Sequence, residues 1–136
     1  MGKQQFKPRF ETVLLIDDDD IDNFINEKII TSALFANGVI VKNSAQAGLD
    51  FLKENINNLP EFIFLDLNVK GMNGFDFLVE FDKLVIENPI YKDRCKILVL
   101  SSSISEEEIH KASINPYVVK YLNKPLTENY LDAISI

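Results

Sequence analysis

The sequence predicts an α/β fold, a single doubly wound (βα)5 domain with a five-stranded parallel sheet covered by helices on both sides. Short apolar runs alternate with segments of helical periodicity five times along the chain. The run Phe62–Leu65 is apolar at every position, which is typical of a strand buried on both faces. The chain has 136 residues, enough for one such domain and too few for two. We expect residues 1–11 to be an N-terminal extension and residues 12–136 to be the domain.

The first two βα units follow from apolar spacing. Strands are predicted at Thr12–Ile16 and at Val39–Val41, where β-branched residues cluster. Ser44 is the expected N-cap of the second helix. Apolar residues recur at helical spacing in the first helix at Ile21, Ile25 and Ile29, and in the second at Ala45, Leu49 and Leu52.

The other three units have the same design. Their strands are predicted at Phe62–Leu65, Lys96–Leu100 and Val118–Leu122. Ser105–Glu108 is predicted to form a capping box, and Thr127 to cap the last helix. The helical apolar positions are Phe77, Leu78, Phe81, Leu84 and Val85, then Ile109 and Ala112, then Tyr130, Leu131 and Ile134.

Composition and charge exclude several classes of function. The net charge is −7 without a basic stripe, so we expect no binding to nucleic acid. Apolar runs stay well below the roughly 18 residues of a membrane span, and the polar, basic N-terminus does not resemble a secretory signal, so we expect no membrane insertion and a cytoplasmic location. The single cysteine, Cys95, excludes an internal disulfide framework and is expected to be a small structural residue at a strand edge.

Acidic residues follow two of the predicted strands directly. Asp17–Asp20 comes after the first strand and Asp66 after the third. Carboxylates roughly 4 Å apart repel by about 4 kcal/mol at an effective dielectric near 20, so a cation is expected between them. An alternative is that the run only begins a helix, with Asp20 as its cap. Because the carboxyl ends of parallel strands meet at one edge, we favour a shared site.

Four strand ends together carry a distinctive set of residues. Asp17 and Asp18 follow the first strand, Asp66 the third, Ser101 the fourth and Lys124-Pro125 the fifth. Each residue alone is more often structural, but their joint occurrence favours function. The set resembles the receiver domain of bacterial response regulators, from about residue 12 to the C-terminus. The resemblance implies a flavodoxin-like strand order, 2-1-3-4-5.

The resemblance also implies a chemical role for each residue of the set. Asp66 would accept a phosphoryl group from a phosphohistidine on a histidine kinase or a histidine phosphotransfer protein. Asp17, Asp18, Asp66 and the backbone carbonyl of Asn68 would bind Mg²⁺, which prefers few carboxylates and several waters. Lys124 would pair with Asp66 at rest and with a phosphoryl oxygen after transfer.

Ser101 and Tyr121 match the two switch positions of the family. Phosphorylation would draw the Ser101 hydroxyl inward and leave space for Tyr121. The surface expected to change, and to bind a downstream protein, is Ser105–Ile134. By resemblance the chain is a stand-alone receiver, a monomer or weak dimer, that catalyses only its own phosphorylation and dephosphorylation.

Two segments depart from the family pattern. Lys70 stands where many relatives have proline, which predicts a looser loop beside Asp66. The Lys124-Pro125 pair is retained, and in the family it is often joined by a cis bond. Asn88–Arg94 is longer than a typical connection, and the sequence indicates no role for it.

Two other functions compete with this interpretation. A small Mg²⁺-dependent phosphatase of the haloacid dehalogenase class would use Asp17 as its nucleophile, but a second acidic motif late in the chain is missing. The chain is also short for the core and cap of that class. A receiver-like protein that binds partners without phosphorylation would normally have lost the acceptor, the acidic pair or the lysine, and all are present.

Overall fold

A computed structural model of the protein describes residues 7–134. Its sheet has five parallel strands in the order β2-β1-β3-β4-β5, which confirms the predicted fold class and strand order. The strands are β1 (Phe10–Ile16), β2 (Ala36–Lys42), β3 (Phe62–Leu65), β4 (Lys96–Ser101) and β5 (Val118–Asn123). β1 and β2 are longer than predicted, since β1 begins two residues before Thr12 and β2 extends on both sides of Val39–Val41.

The described residues form six helices rather than the predicted five. They are α1 (Asp20–Ser32), α2 (Ala45–Glu54), α3 (Gly74–Glu87), α4 (Ile90–Arg94), α5 (Glu106–Ser113) and α6 (Glu128–Asp132). The additional helix, α4, occupies the stretch Asn88–Arg94 that the sequence left without a role. It begins after Pro89 and buries Tyr91 against the core. None of these six helices combines the length and apolarity needed to cross a lipid bilayer.

The core lies in two layers, one on each face of the sheet. Successive residues of a strand point to opposite faces, so Leu14 and Ile16 join one layer while Val13 and Leu15 join the other. The first layer packs α2, α3 and α4 against the sheet, and the second packs α1 and α6. This two-sided burial explains why β3 is apolar at every position.

The predicted apolar face of α1 is wrong at Ile21 and Ile25, whereas Ile29 does pack against the core. Ile21 and Ile25 are 70% and 45% exposed, and the residues that α1 buries are Asn23, Asn26 and Ile30. The first turns of α1 lie beside the polar strand ends rather than over the core. Asn23 Nδ2 there donates to the backbone carbonyl of Asp17 at 2.8 Å. A polar inward face therefore suits the first turns of this helix, where Ile21 and Ile25 point outward, whereas Ile30 in its last turn joins the core.

The helix caps partly follow the predictions. Ser44, Ser105 and Thr127 each accept a hydrogen bond from a backbone N–H of the first helical turn, as expected. Asp19, rather than Asp20, caps α1, because its side chain accepts from the backbone N–H groups of the next turn. The predicted capping box at the start of α5 is incomplete.

The missing half of that box is the Glu108 side chain. Its carboxylate accepts a hydrogen bond from the Ser103 hydroxyl in the preceding loop, instead of returning to the backbone of Ser105. A complete capping box does form at α3, between Asn73 and Asp76. Asn is a good N-cap because its side-chain oxygen can accept from a backbone N–H of the first turn, here that of Asp76.

Arg9 ties the start of the sheet to the last helix. Its guanidinium donates to the backbone carbonyl of Leu131, at 3.0 Å, and to that of Ile134. The same group lies 5.4 Å from the ring centroids of Phe10 and Phe35. A cation at these carbonyls is favourable because the C-terminal end of a helix carries partial negative charge.

We expect Arg9→Ala to lower the free energy of unfolding by about 1 to 2 kcal/mol, because two charge-assisted hydrogen bonds and the ring contacts are lost. Lys7→Ala, in the same segment and also exposed, is the matched control. Chemical denaturation of both variants measures the difference. Equal free energies of unfolding for the two variants would show that the contacts of Arg9 with the last helix do not stabilise the fold.

Cys95 precedes β4 and is buried, and burial raises the pKa of its thiol to about 12. We therefore expect negligible reaction with a thiol-specific disulfide reagent at pH 8 in the native state, since the thiolate is the reactive form. Stoichiometric reaction is expected after unfolding in guanidinium. Rapid labelling of the native protein would show that the thiol is accessible.

Candidate functional site

Polar side chains gather at the carboxyl ends of β1, β3, β4 and β5. Ile16 and Leu65, the last residues of β1 and β3, are paired in the sheet, so Asp17 and Asp66 follow side by side. Asp66 N–H also donates to the carbonyl of Ile16 at 3.1 Å. The strand order reverses between β1 and β3, which is where open parallel sheets bind ligands.

Three carboxylates converge at this edge. One oxygen from each of Asp17, Asp18 and Asp66 lies within 4.8 Å of the others. Asp17 and Asp66 are only 2% and 7% exposed, and Asp18 is half-buried. Hard oxygen donors at this mutual distance are suited to a small divalent cation such as Mg²⁺, which takes few protein ligands. The donor set therefore fits the ion that the sequence predicted.

Backbone N–H groups hold two of these carboxylates in place. Asp17 Oδ1 accepts from the N–H of Asp19 at 2.9 Å, and Asp66 Oδ1 accepts from the N–H of Asn68 at 3.1 Å. Each bond spans two residues, the pattern of an Asx turn. These turns fix the orientation of Asp17 and Asp66, and the second turn places Asn68 directly beside the cluster.

A glycine makes the turn after Asp66 possible. A Cβ atom on Gly74 would lie 2.9 Å from the carbonyl oxygen of Asp66 and 2.7 Å from the Cα of Leu67. Both are backbone atoms, so no side-chain rotation would relieve the clash. The first residue of α3 therefore packs directly on the backbone that presents Asp66, and a larger residue would displace it.

Lys124 supplies the positive charge of the site. Its Nζ lies 2.7 Å from Asp17 Oδ2, 2.9 Å from Asp22 Oδ2 and 3.3 Å from Asp66 Oδ2. The following peptide bond to Pro125 is cis, which the resemblance implied as a common feature of that pair. Lys124 N–H donates to the carbonyl of Ser101 at 2.9 Å, which fixes the lysine to the end of β4.

Asp22 is the member of this group that sequence reasoning missed. It lies in the first turn of α1, where an acidic residue is ordinarily explained by the helix dipole. The pairing with Lys124 joins residues 102 positions apart, so only the folded chain reveals it. The sequence did predict a contact of Lys124 with Asp66, but Asp17 and Asp22 lie closer to the ammonium.

The electrostatics of Asp17 and Lys124 are coupled. Burial raises the pKa of the Asp17 carboxyl above its usual range, and the hydrogen bond from Lys124 offsets only part of that increase. Burial alone would lower the pKa of Lys124, but its bonds to Asp17 and Asp22 and the charge of Asp66 outweigh it and raise the pKa. The ammonium is therefore charged at neutral pH.

The two predicted switch residues meet at Ser103. Ser101 is fully buried, and its hydroxyl oxygen accepts from Ser103 N–H at 3.1 Å and from Asn68 Nδ2 at 3.4 Å. Tyr121 is half-buried, and its hydroxyl donates to the Ser103 carbonyl at 3.1 Å. Ser101 and Tyr121 thus bond to the backbone N–H and the backbone carbonyl of the same residue, which lies between β4 and α5.

Lys70 contributes a contact that proline could not make. Its backbone N–H donates to Asp18 Oδ2 at 3.1 Å, across from the loop after β3 to the end of β1. From the absence of proline at this position we predicted only a looser loop. The structure instead shows a direct anchor for one of the three converging carboxylates.

Comparisons with known proteins support one family. Residues 13–135 match the model of the response regulator receiver domain. A two-component response regulator from Cytophaga hutchinsonii is similar in structure, with 34% identity, coverage of 90% of this chain and 92% of that chain, and a TM-score of 0.83. A response regulator receiver protein from Dyadobacter fermentans has 30% identity, coverage of 89% and 91%, and a TM-score of 0.78.

A third solved structure is the Mn²⁺-bound form of response regulator Rcp1. It has 26% identity, coverage of 89% of this chain and 86% of that chain, and a TM-score of 0.69. No curated protein sequence matches the chain.

We expect Lys70→Pro to weaken Mg²⁺ binding about threefold to tenfold, because Asp18 loses the N–H that orients it. Lys70→Ala keeps the N–H and is the matched control, with an affinity within about twofold of the wild-type value. Calorimetric titration of each variant with Mg²⁺ measures the difference. If the alanine and proline variants bind equally, the backbone contact has no effect on the metal.

Proposed function

The chain belongs to the response regulator receiver domain family, and on that premise we propose that it accepts a phosphoryl group from a phosphohistidine onto Asp66 and signals by a conformational switch. Residues 12–136 would form the receiver and residues 1–11 an extension, in a cytoplasmic monomer or weak dimer. One observation carries the proposal. Asp66 lies among two further carboxylates and within 3.3 Å of a lysine ammonium.

In the proposed transfer, a carboxylate oxygen of Asp66 forms a bond to phosphorus while the bond from phosphorus to the histidine nitrogen breaks. The donor reacts with its second ring nitrogen protonated, so the nitrogen that loses phosphorus keeps the electron pair and the donor leaves as neutral imidazole. Both reactants are anionic, and their repulsion is the main obstacle. Lys124 reduces it by pairing with the phosphoryl oxygens, and Ser101 donates its hydroxyl to the new phosphoryl group.

Asp17, Asp18 and Asp66, with the backbone carbonyl of Asn68, would hold Mg²⁺. When bound, the ion neutralises charge between the attacking carboxylate and the incoming phosphoryl group. The presence of Mn²⁺ in the similar response regulator Rcp1 supports a divalent cation in a fold of this kind.

The surface beside the site supports a protein as the phosphodonor. Ile21, Phe24 and Ile25 form an exposed apolar patch on α1. Ile25 also lines a pocket of about 320 Å³ together with Asp22 and Lys124. A histidine kinase or histidine phosphotransfer protein would bury this patch while presenting its phosphohistidine to Asp66.

The output surface would be Ser105–Ile134, which contains α5, β5 and α6. Phosphorylation adds up to about two negative charges and three oxygens that accept hydrogen bonds from hydroxyl groups. If the Ser101 hydroxyl turns to the phosphoryl group, the Ser103 N–H loses an acceptor and the segment bonded to Tyr121 shifts. The change at Asp66 would thereby reach a surface that a downstream protein can bind.

We expect incubation with Mg²⁺ and acetyl phosphate to add one phosphoryl group, measured by intact mass. Asp66→Asn should abolish the gain, whereas Asp17→Asn should keep part of it. Asp50→Asn, an exposed aspartate on α2, is the control and should behave like the wild-type protein. The adduct should be labile in base, and chelation of Mg²⁺ before the reaction should prevent it.

The same experiment distinguishes the phosphatase interpretation. A phosphoryl group on Asp17, or turnover of a free phosphoester at enzymatic rates, would support a haloacid dehalogenase mechanism and refute the receiver proposal. A phosphoserine would refute both. Under the receiver proposal, the chain catalyses only its own phosphorylation and dephosphorylation.

A further inference from the structure

Lys124 is shared among three carboxylates, and one of them belongs to α1. The ammonium lies 2.7 Å from Asp17, 2.9 Å from Asp22 and 3.3 Å from Asp66. The Lys124 side chain is largely buried, whereas the Asp22 side chain is 39% exposed. Asp22 is thus the solvent-exposed partner of the ammonium, whereas Asp17 and Asp66 are buried.

Asp17 has two competing tasks in this arrangement. Its Oδ1 accepts from the backbone N–H of Asp19, and its Oδ2 accepts from Lys124. Asp17 is also one of the three carboxylates that fit a divalent cation. A cation entering the cluster would therefore share Asp17 with an ammonium, and the two positive charges would repel each other.

Asp22 offers Lys124 a partner that lies outside the metal cluster. Among the residues that the structure describes, the cluster able to hold an ion contains Asp17, Asp18 and Asp66 but not Asp22. The ammonium can therefore remain paired with Asp22 while Asp17 turns to the ion. A charged lysine without such a partner would have to stay on Asp17 or accept a largely buried position with less compensation.

We propose that Asp22 is a positioning residue that holds Lys124 aside and so lets the carboxylate cluster take Mg²⁺. The inference rests on the proposed function, because it assigns the metal to Asp17, Asp18 and Asp66. It adds a residue of α1 to the group that controls the site. Asp22 itself touches neither the metal nor the phosphoryl group and acts through the lysine.

The test is calorimetric titration of the unphosphorylated protein with Mg²⁺. We expect Asp22→Asn to weaken binding about fivefold or more, and Asp22→Ser to do the same. Asp20→Asn removes the same charge from an exposed position in the same helical turn and should change the affinity less than about twofold. Circular dichroism and thermal unfolding identify the variants that are folded and can be compared.

Repeating the titration in a Lys124→Met protein distinguishes positioning of Lys124 by Asp22 from direct attraction between Asp22 and the ion. In a Lys124→Met protein, Asp22→Asn should weaken Mg²⁺ binding no more than Asp20→Asn does, because the residue through which Asp22 acts is gone. If Asp22 only attracted the ion, its effect would be at least as large there, since no lysine would offset its charge. That second result would overturn the inference.

Failure of the inference and failure of the proposed function give different results. Equal Mg²⁺ affinities for Asp22→Asn and Asp20→Asn, with normal phosphorylation of the wild-type protein at Asp66, would refute the role of Asp22 alone. No Mg²⁺ binding and no phosphorylation of the wild-type protein would refute both.

Discussion

One lysine ammonium compensates a group of carboxylates that the fold forces together. Parallel strands end at the same edge of the sheet, so the acids after β1 and β3 meet there whatever their charge. Asp17, Asp18 and Asp66 converge, Asp22 approaches from α1, and Lys124 is paired with three of the four. The remaining negative charge makes the site receptive to a cation.

Backbone groups orient the three converging carboxylates. The N–H groups of Asp19, Asn68 and Lys70 each fix one carboxylate, and Gly74 lets α3 begin directly against the Asp66 backbone. Beneath these loops, an apolar layer packs on each face of the strands. The proposed switch would act on the segment between β4 and α5, where Ser103 bonds to Ser101, Tyr121 and Glu108.

The sequence predicted the features that depend on local pattern. The strands and the convergence of Asp17 and Asp66 follow from apolar runs and from strand ends, whereas the strand order came from the resemblance to receiver domains. The outward-facing Ile21 and Ile25 could not be predicted, because helical spacing shows that residues share a face but not which way it points. The contacts of Asp22 with Lys124 and of Glu108 with Ser103 were missed because each joins a helix residue to a residue outside that helix. The contact of Lys70 with Asp18 was missed because it is made by a backbone N–H, which has no signature in the sequence.

The hydrogen bonds from Arg9 to the carbonyls of Leu131 and Ile134 hold the residues before β1 against the residues after α6. β1 begins at Phe10 and runs seven residues, about 20 Å, before it reaches the acidic edge. Arg9 and Ile134 therefore lie at the opposite end of the strands from Asp66. A fluorescent label attached at the exposed Lys7, two residues from Arg9, would therefore leave the mouth of the site unobstructed.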